Sequence, residues 1–470
     1  MPRRSAHPTV LLAILCAAAF MGSLDLFIVN VGLHDIGRDV GVGSLANLSW
    51  VLNAYAIVFA ALLVPAGRLA DRYGNKATFL LGLALFTAAS LGCALSDTLW
   101  PIVGLRALQA AGAAALTPAS LGLILTVMPP ERRRGAFQVW AVTGSLGAAA
   151  GPALGGLLVE LSWRWIFVVN VPVGLAALGA AAVLMPNVKH QVETRVPDLL
   201  GGLFLIAAIG ALALALVQGP DWGWGSASTL GGFAVSAATL ALFVLRSARH
   251  PAPVVDLALW RAPAFAWGNV AMLLVSIAFG AQLLGLVLWL QEGWGWSALH
   301  TGLAIAPGPV MVSATAIGLR RFTAHRPPGA VIALGTLLIG AGGVLIGASI
   351  GSHPDYFAIL PGWLIVGAGV GFAIPTILAA ATAGLPPHQA STGSAVVQME
   401  RQIGSVLGVA LLVIVLGSST ASAASLDRFT EVWWWAGGLS LLSAIAALGV
   451  SPLRRSARAA EAEAETPAVA

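Results

Sequence analysis

Long apolar runs alternate with short polar connections along almost the whole chain. A helix needs about 20 apolar residues to cross the hydrocarbon core of a bilayer, and fourteen runs approach or exceed that length. The pattern therefore predicts an all-α polytopic membrane protein with about fourteen transmembrane helices. The predicted spans are residues 9–31, 48–66, 77–96, 100–125, 136–158, 164–185, 198–218, 227–246, 264–290, 299–319, 328–349, 356–380, 394–417 and 430–451.

The composition supports this class and excludes a soluble protein. Of the 470 residues, 58% are hydrophobic and only 9% are charged, and the mean hydropathy is +0.89. The formal net charge is +5, but the basic residues concentrate in alternate connections, so we interpret them as topology and not as a nucleic-acid surface. This distribution predicts a multi-pass protein of the cell membrane with both termini in the cytoplasm.

A ten-residue polar interruption separates the second and third runs and makes their helices antiparallel neighbours. We expect Gly67 to permit close backbone approach and Gly74 to adopt a positive φ. Asp71 is expected near the N-terminus of the third helix, where the macrodipole favours an anion. A positive-inside loop with turn glycines would explain the charges equally well. The stretch reads Gly67-Arg-Leu-Ala-Asp71-Arg72-Tyr-Gly74-Asn-Lys76.

Two ionisable residues, Asp25 and Arg106, lie well inside predicted spans. A charge at mid-bilayer costs about 3 kcal/mol, so it seldom persists without a role. Desolvation makes a carboxylate easier to protonate, which would let a proton and a cation compete for Asp25. The alternatives are that Asp25 is solvated near a helix end and that Arg106 is a structural hydrogen-bond hub.

The thirteenth span begins with another charged pair, Glu400 and Arg401. Adjacent helical residues do not face each other, so each of them needs its own partner or water. Arg401 could equally extend toward the membrane surface.

The fifth span carries glycines at four-residue spacing around a proline. Such a face lets helices approach closely, and a proline removes one backbone hydrogen bond and bends the helix. In a transporter this segment could also serve as a hinge and a seal. The residues are Gly147, Gly151, Pro152 and Gly155.

No metal-ligand spacing, phosphate-binding loop or nucleophile–base arrangement is present in the sequence. We therefore expect no cofactor, no metal and no enzymatic activity. No polar stretch is long enough for an ATPase domain, so energy would come from an ion gradient, worth about 2.3 kcal/mol per charge per 100 mV.

Five motifs occur in the order found in one family. They are the stretch Leu24-Asp25-x-x-x-Val29-Asn30-Val31, the loop 67–76, Arg106-x-x-Gln109-x-x-Gly112, the glycine–proline segment of the fifth span, and Trp163-Arg-Trp-Ile-Phe167-x-x-Asn170. With them the chain resembles the fourteen-helix drug:proton antiporters of the major facilitator superfamily. It departs from the family pattern at Phe27, Gly32, His34 and Ala110.

The resemblance implies a major facilitator fold of two six-helix bundles with two inserted helices. The expected units are residues 1–190, 191–250 and 251–455, followed by a disordered cytoplasmic tail, 456–470. The resemblance also implies proton coupling by Asp25 and Arg106, and gating by the loop 67–76 and the fifth-span glycines. Candidate cavity residues for the substrate are Asn53, Gln282, Trp289, Phe372, Gln398 and Arg401.

These observations favour a proton-coupled exporter of amphipathic small molecules, either a multidrug pump or a dedicated antibiotic-resistance pump. We expect its partners to be the small-molecule substrate, protons and lipid, with no nucleic acid, and the protein to be a monomer. Few acidic residues lie in spans nine and ten, which favours a monovalent, neutral or zwitterionic substrate over a dication. The alternatives are a proton-coupled importer on the same fold and a non-transporting membrane sensor.

Overall fold

The computed structural model describes residues 8–186, 198–318, 326–385, 387–417 and 426–450. Within these residues fourteen helices are long and apolar enough to cross a membrane, which confirms the predicted number of spans. In chain order, α1–α14 are Pro8–Asp39, Leu45–Tyr73, Asn75–Leu95, Leu99–Val127, Glu131–Leu161, Trp165–Leu184, Leu199–Trp222, Ala227–Arg249, Pro263–Gly293, Ala298–Gly318, Pro328–Ser349, Tyr356–Ala383, Thr392–Leu416 and Leu426–Leu448.

Helix packing divides the described chain into two groups of six. In the first group α1 packs against α5 and α6, and α4 packs against α2 and α3. In the second, α9 packs against α13 and α14, and α11 packs against α12 and α14. The unit boundaries stay predictions, and those at 190 and 455, with the tail 456–470, lie outside the described residues.

The helices α7 and α8 form a separate hairpin beside these groups. α7 packs against α2 of the first group and α13 of the second, whereas α8 packs mainly against α7. At the start of the hairpin, the buried Asp198 caps α7 through the backbone N–H of Gly201. The same carboxylate accepts a hydrogen bond of 2.6 Å from Arg246 of α8, so one buried anion joins both helices.

The connection between α2 and α3 is much shorter than the polar interruption predicts. α2 continues to Tyr73, and Gly74 alone, with φ of 97°, separates it from α3. The positive φ of Gly74 is confirmed, but Asp71 lies in the last turns of α2 and not at the N-terminus of α3. The apolar pattern stops where a helix leaves the hydrocarbon core, whereas helical hydrogen bonding continues beyond it.

Gly67 does not provide the close approach expected of it. A β-carbon there would lie 3.5 Å from Cβ of Pro118, which is an ordinary van der Waals distance. The side chain that does lock this region is Lys76, whose Nζ donates to the carbonyls of Ala182 at 2.9 Å and Met185 at 2.6 Å. A cation at the last carbonyls of α6 satisfies the C-terminal end of that helix.

The two groups meet directly on one side through α5 and α10, and on the other through α2 and α13. Gly156 of α5 lies against the backbone of Ala298, and Gly302 of α10 lies against Pro152. Side chains larger than hydrogen would meet backbone atoms at both glycines. Small residues therefore allow this contact between the groups.

Candidate functional site

A buried ion pair between α1 and α4 forms the centre of the candidate site. Arg106 donates from Nη1 to Oδ2 of Asp25 at 2.5 Å, and both side chains are fully shielded from solvent. The alternative that Asp25 is solvated near a helix end is therefore wrong. Breaking a buried pair by removing one partner leaves an uncompensated charge, so each residue depends on the other.

Two amides complete the surroundings of the Asp25 carboxylate. Gln109 of α4 and Asn170 of α6 donate to Oδ1 of Asp25 at 2.8 Å and 3.0 Å. Both amides also donate to the hydroxyl of Ser90 in α3, which in turn donates to the carbonyl of Phe167 at 3.0 Å. Three hydrogen bonds thus reach the carboxylate, and four helices contribute to the network.

The guanidinium of Arg106 is held on its remaining sides by the first group of helices. Its Nη1 also donates to Oε1 of Gln109 at 2.8 Å, and its Nε donates to the carbonyl of Val51 at 3.2 Å. The ring of Tyr55 lies 4.2 Å from the guanidinium carbon, a cation–π distance. The Arg106 side chain therefore links α4 to both α1 and α2.

The sequence singled out Asp25 and Arg106 but not the roles of Ser90, Gln109 and Asn170. One signal was available, because each of these three interrupts an apolar run with a polar side chain. Residues 106 and 109 are also three apart, which places them on one helix face. The pairing of α3 and α6 with α1 is a tertiary feature, and the local pattern does not contain it.

All donors to Asp25 suit its ionised form. A proton on the carboxylate would take one of its four lone-pair sites and remove the negative charge that faces Arg106, so the donors around it would have to readjust. The contacts between α1, α4 and α6 therefore depend on the charge of this carboxylate.

The glycine face of α5 packs on the segment of α1 that carries Asp25. A β-carbon at Gly147 would lie 2.5 Å from the carbonyl oxygen of Phe20, and one at Gly151 would lie 2.8 Å from Cβ of Phe27. At Gly155 it would lie 2.8 Å from Cγ1 of Ile28. Pro152 lies inside the same helix. Any larger residue on this face would displace α1, and with it the ion pair.

The remaining residues of the loop 67–76 lie at the end of the bundle that we call the motif end, defined by Gly74 and Lys76. Asp71 and Arg72 are exposed there, and each engages another group. Their gating role stays a prediction.

At the opposite end of the bundle, α1 and α9 join the two groups. Nδ1 of His34 lies 3.2 Å from Oε1 of Glu292, and Nε2 of Gln291 donates to the carbonyl of Val31 at 2.8 Å. The last turn of α9, Trp289–Gly293, is a π-helix, and this turn directs two consecutive side chains to α1. Single π turns are frequent at functional sites. The two groups are therefore linked at this end.

A second ionic cluster near the same end lies between α1, α3 and the α5–α6 connection. Arg164 donates to Asp39 at 2.6 Å and to Asp97 at 2.8 Å. The hydrogen bond with Asp39 raises the pKa of Arg164, so this cation remains charged at every physiological pH.

Most of the candidate cavity residues are packed inside their own helix group. Gln282 donates to the carbonyl of Ile339, Trp289 packs against the ring of Phe429 at 4.7 Å, and Asn53 donates to Ser49. Phe372 is also buried. Only Gln398 and Arg401 of this set remain partly accessible to solvent, so the set does not form one surface. Its substrate role stays a prediction.

Within the described ranges, no group of three or more His, Cys, Asp or Glu side chains could hold a metal ion. Twelve spans in two packed groups with a two-helix hairpin beside them, and an ion pair enclosed in one group, are the architecture of a polytopic membrane transporter.

The family model of the Major Facilitator Superfamily matches residues 15–409, and the chain belongs to this superfamily. It is 31% identical to the tetracenomycin C resistance and export protein of Streptomyces glaucescens, across 91% of this chain and 78% of that protein. It is also 31% identical to the methylenomycin A resistance protein of Streptomyces coelicolor, across 97% of this chain and 95% of that protein.

Among solved structures, the peptide transporter POT in complex with sulfate matches with a TM-score of 0.70 and 17% identity, over 96% of both chains. At that identity the likeness concerns the fold alone.

Proposed function

We propose that this protein is a proton-coupled antiporter that exports amphipathic small molecules across the cytoplasmic membrane by alternating access. The relatives support export, since one is named a resistance and export protein and the other a resistance protein. The cargo is either a broad set of drugs or one antibiotic. An exporter without a nucleotide-hydrolysing domain needs an ion gradient, and the proton gradient is the one we propose.

The enclosed Asp25–Arg106 pair is the observation that carries the coupling proposal. Protonation of a carboxylate at 0% exposure that accepts three hydrogen bonds would remove the charge that its donors face, and these neighbours would readjust. Arg106 would then lose its counter-ion and turn to another acceptor. Since these contacts join α1, α4 and α6, proton binding would favour a different arrangement of the first helix group.

The other motifs have roles in the conformational change that follows protonation of Asp25. We assign the motif end, with Gly67, Asp71, Arg72, Gly74 and Lys76, to the cytoplasmic side as a gate. The face of Gly147, Gly151, Pro152 and Gly155 permits α5 to move on α1. In the arrangement described here the opposite end is linked by His34 and Glu292, which corresponds to a state closed toward the outside. The protein acts as a monomer.

Everted membrane vesicles test the proposal. Vesicles with wild type, Asp25→Asn or the exposed control Asp427→Asn are loaded with an acid interior, and a panel of cationic, neutral and zwitterionic drugs is added. We expect drug-dependent proton release in wild type and control, and none in Asp25→Asn.

The two parts of the proposal fail in different ways. Release that survives in Asp25→Asn would contradict the assignment of the coupling site and keep the exchange of drug for proton. No release with any drug, from folded wild-type protein, would contradict proton-coupled export itself.

A further inference from the structure

A second pair of charged residues, Glu400 and Arg401, lies in α13 a little over two turns from its first residue at the motif end. The position is fixed by contacts one and two turns further along. Gly404 packs against Ser276 of α9, and Gly408 packs against the backbone of Ile277 in the same helix. α13 also packs against α2 of the first group and against α7. This part of α13 is therefore surrounded by helices of both groups.

The two side chains are embedded and yet accessible. Nε of Arg401 is shielded from solvent, whereas other parts of both side chains are accessible. Because α13 packs against α2, α7, α9 and α14, we infer that both residues line the space between the two groups.

No described residue neutralises either charge. Within the described residues, Glu400 and Arg401 make no hydrogen bond or ion pair with each other or with any other group. Nε of Arg401 is enclosed without an acceptor. Consecutive residues diverge by about 100° around a helix, so the two side chains cannot turn to each other.

Two uncompensated charges of opposite sign on one internal wall suit a ligand that carries both signs. An ammonium group would neutralise Glu400, and a carboxylate would accept from the fork of donors on Arg401. Because the side chains diverge, the two charged groups of the ligand must be separated by several bonds.

We propose that Glu400 and Arg401 form the substrate site for a zwitterion, in which Glu400 receives the ammonium group and Arg401 the carboxylate. This inference rests on the proposed export function and names its substrate class. It places recognition in the second helix group, away from the Asp25–Arg106 pair that we assign to the proton.

Matched charge forms of one scaffold test the site. Norfloxacin and ampicillin are zwitterions; N-acetylation of either leaves an anion, and esterification leaves a cation. Proton release from everted vesicles is measured for all six compounds with wild type, Glu400→Gln, Arg401→Gln and a control that carries Glu431→Gln and Arg249→Gln. Both control positions are exposed.

We expect wild type and control to prefer the zwitterion of a transported scaffold by about tenfold or more over either singly charged form. Glu400→Gln should shift the preference toward the N-acetyl anion, and Arg401→Gln toward the ester cation. These opposite shifts distinguish a change in substrate recognition from a folding defect. A folding defect would lower the proton release caused by all three charge forms alike.

Transport by wild type with no preference for the zwitterion would overturn the site and leave proton-coupled export standing. The site would also be overturned if both variants kept the wild-type order of compounds. Release from none of the six compounds in wild type would overturn the zwitterion site. If the wider drug panel also gave no release, the export proposal would fall with it.

Discussion

Asp25–Arg106 and Glu400–Arg401 are acid–arginine pairs inside membrane spans, and they are built in opposite ways. Asp25 and Arg106 come from different helices and neutralise each other, with Gln109 and Asn170 satisfying the rest of the carboxylate. Glu400 and Arg401 are neighbours on one helix and form no ion pair with each other or with any other described residue. Asp25 and Arg106 lie on different helices, so their contact depends on the relative position of those helices. Glu400 and Arg401 lie on one helix and do not contact each other, so both can bind a ligand.

This difference suits the two tasks of an exchanger. The first pair can couple protonation to helix movement because its bonds hold helices together. The second, in our proposal, binds and releases the substrate because no hydrogen bond or ion pair among the described residues competes for it. Variants of the first pair should therefore damage stability and coupling, and variants of the second should damage substrate selectivity.

Arg106→Leu should have the largest effect on stability. It leaves Asp25 enclosed without a counter-ion, which costs about 3–5 kcal/mol. We expect a strong loss of folded protein in a thermal unfolding series followed by size-exclusion chromatography. The double variant Asp25→Asn with Arg106→Gln should recover most of that loss without recovering transport. Equal stability of Arg106→Leu and wild type would mean that the pair is not enclosed.

Asn170→Ala should have an intermediate effect. It removes one donor from Oδ1 of Asp25 and one from Ser90, and a hydrogen bond to a charged group contributes about 1.5–3 kcal/mol. Unfolding temperature and proton release should both fall, less than in Arg106→Leu. Asn30→Ala is the matched control, since its amide donates only to carbonyls of its own helix. If Asn170→Ala changed neither the unfolding temperature nor proton release, α6 would not contribute to the hydrogen-bond network around Asp25.

The link between His34 and Glu292 should contribute little to stability. The imidazole is 40% exposed, and exposed pairs are worth about 0.2–1 kcal/mol. The His34–Glu292 contact should instead affect the equilibrium between the arrangement described here and the alternative arrangement of the two helix groups. A His34→Cys, Glu292→Cys protein should cross-link in the arrangement described here, and cross-linking should stop transport. Full transport by the cross-linked protein would contradict movement between α1 and α9.

Glu400→Gln should cost the least stability and leave the protein at least as stable as wild type, because it removes an embedded charge that pairs with no described residue. The unfolding temperature of this variant is to be compared with that of Asp25→Asn in the same series. A loss as large as that of Asp25→Asn would show that Glu400 has a structural partner, and would end the contrast between the two pairs.

The apolar pattern predicted the fourteen spans because each must match the thickness of a bilayer. It misplaced the end of α2, since helical hydrogen bonding continues into the charged residues up to Tyr73. Asp25 and Arg106 could be recognised from the sequence because a charged residue inside a membrane span is energetically costly and is seldom kept without a role. Ser90 and Asn170 could not be joined to them, because that needs the packing of α3 and α6 on α1. The π turn at Trp289 has no local signature and arises from packing at the end of α9.

The most direct test of proton-coupled export is uphill transport in proteoliposomes. Purified protein is reconstituted, the electrical potential is clamped at zero, and an acid interior is imposed in the presence of each compound of the norfloxacin and ampicillin sets. We expect a transported compound to accumulate in wild-type liposomes beyond its level in Asp25→Asn liposomes. We also expect loss of that accumulation when the proton gradient is collapsed. Wild-type flux that only equalises concentrations, and that does not respond to the proton gradient, would contradict proton-coupled export.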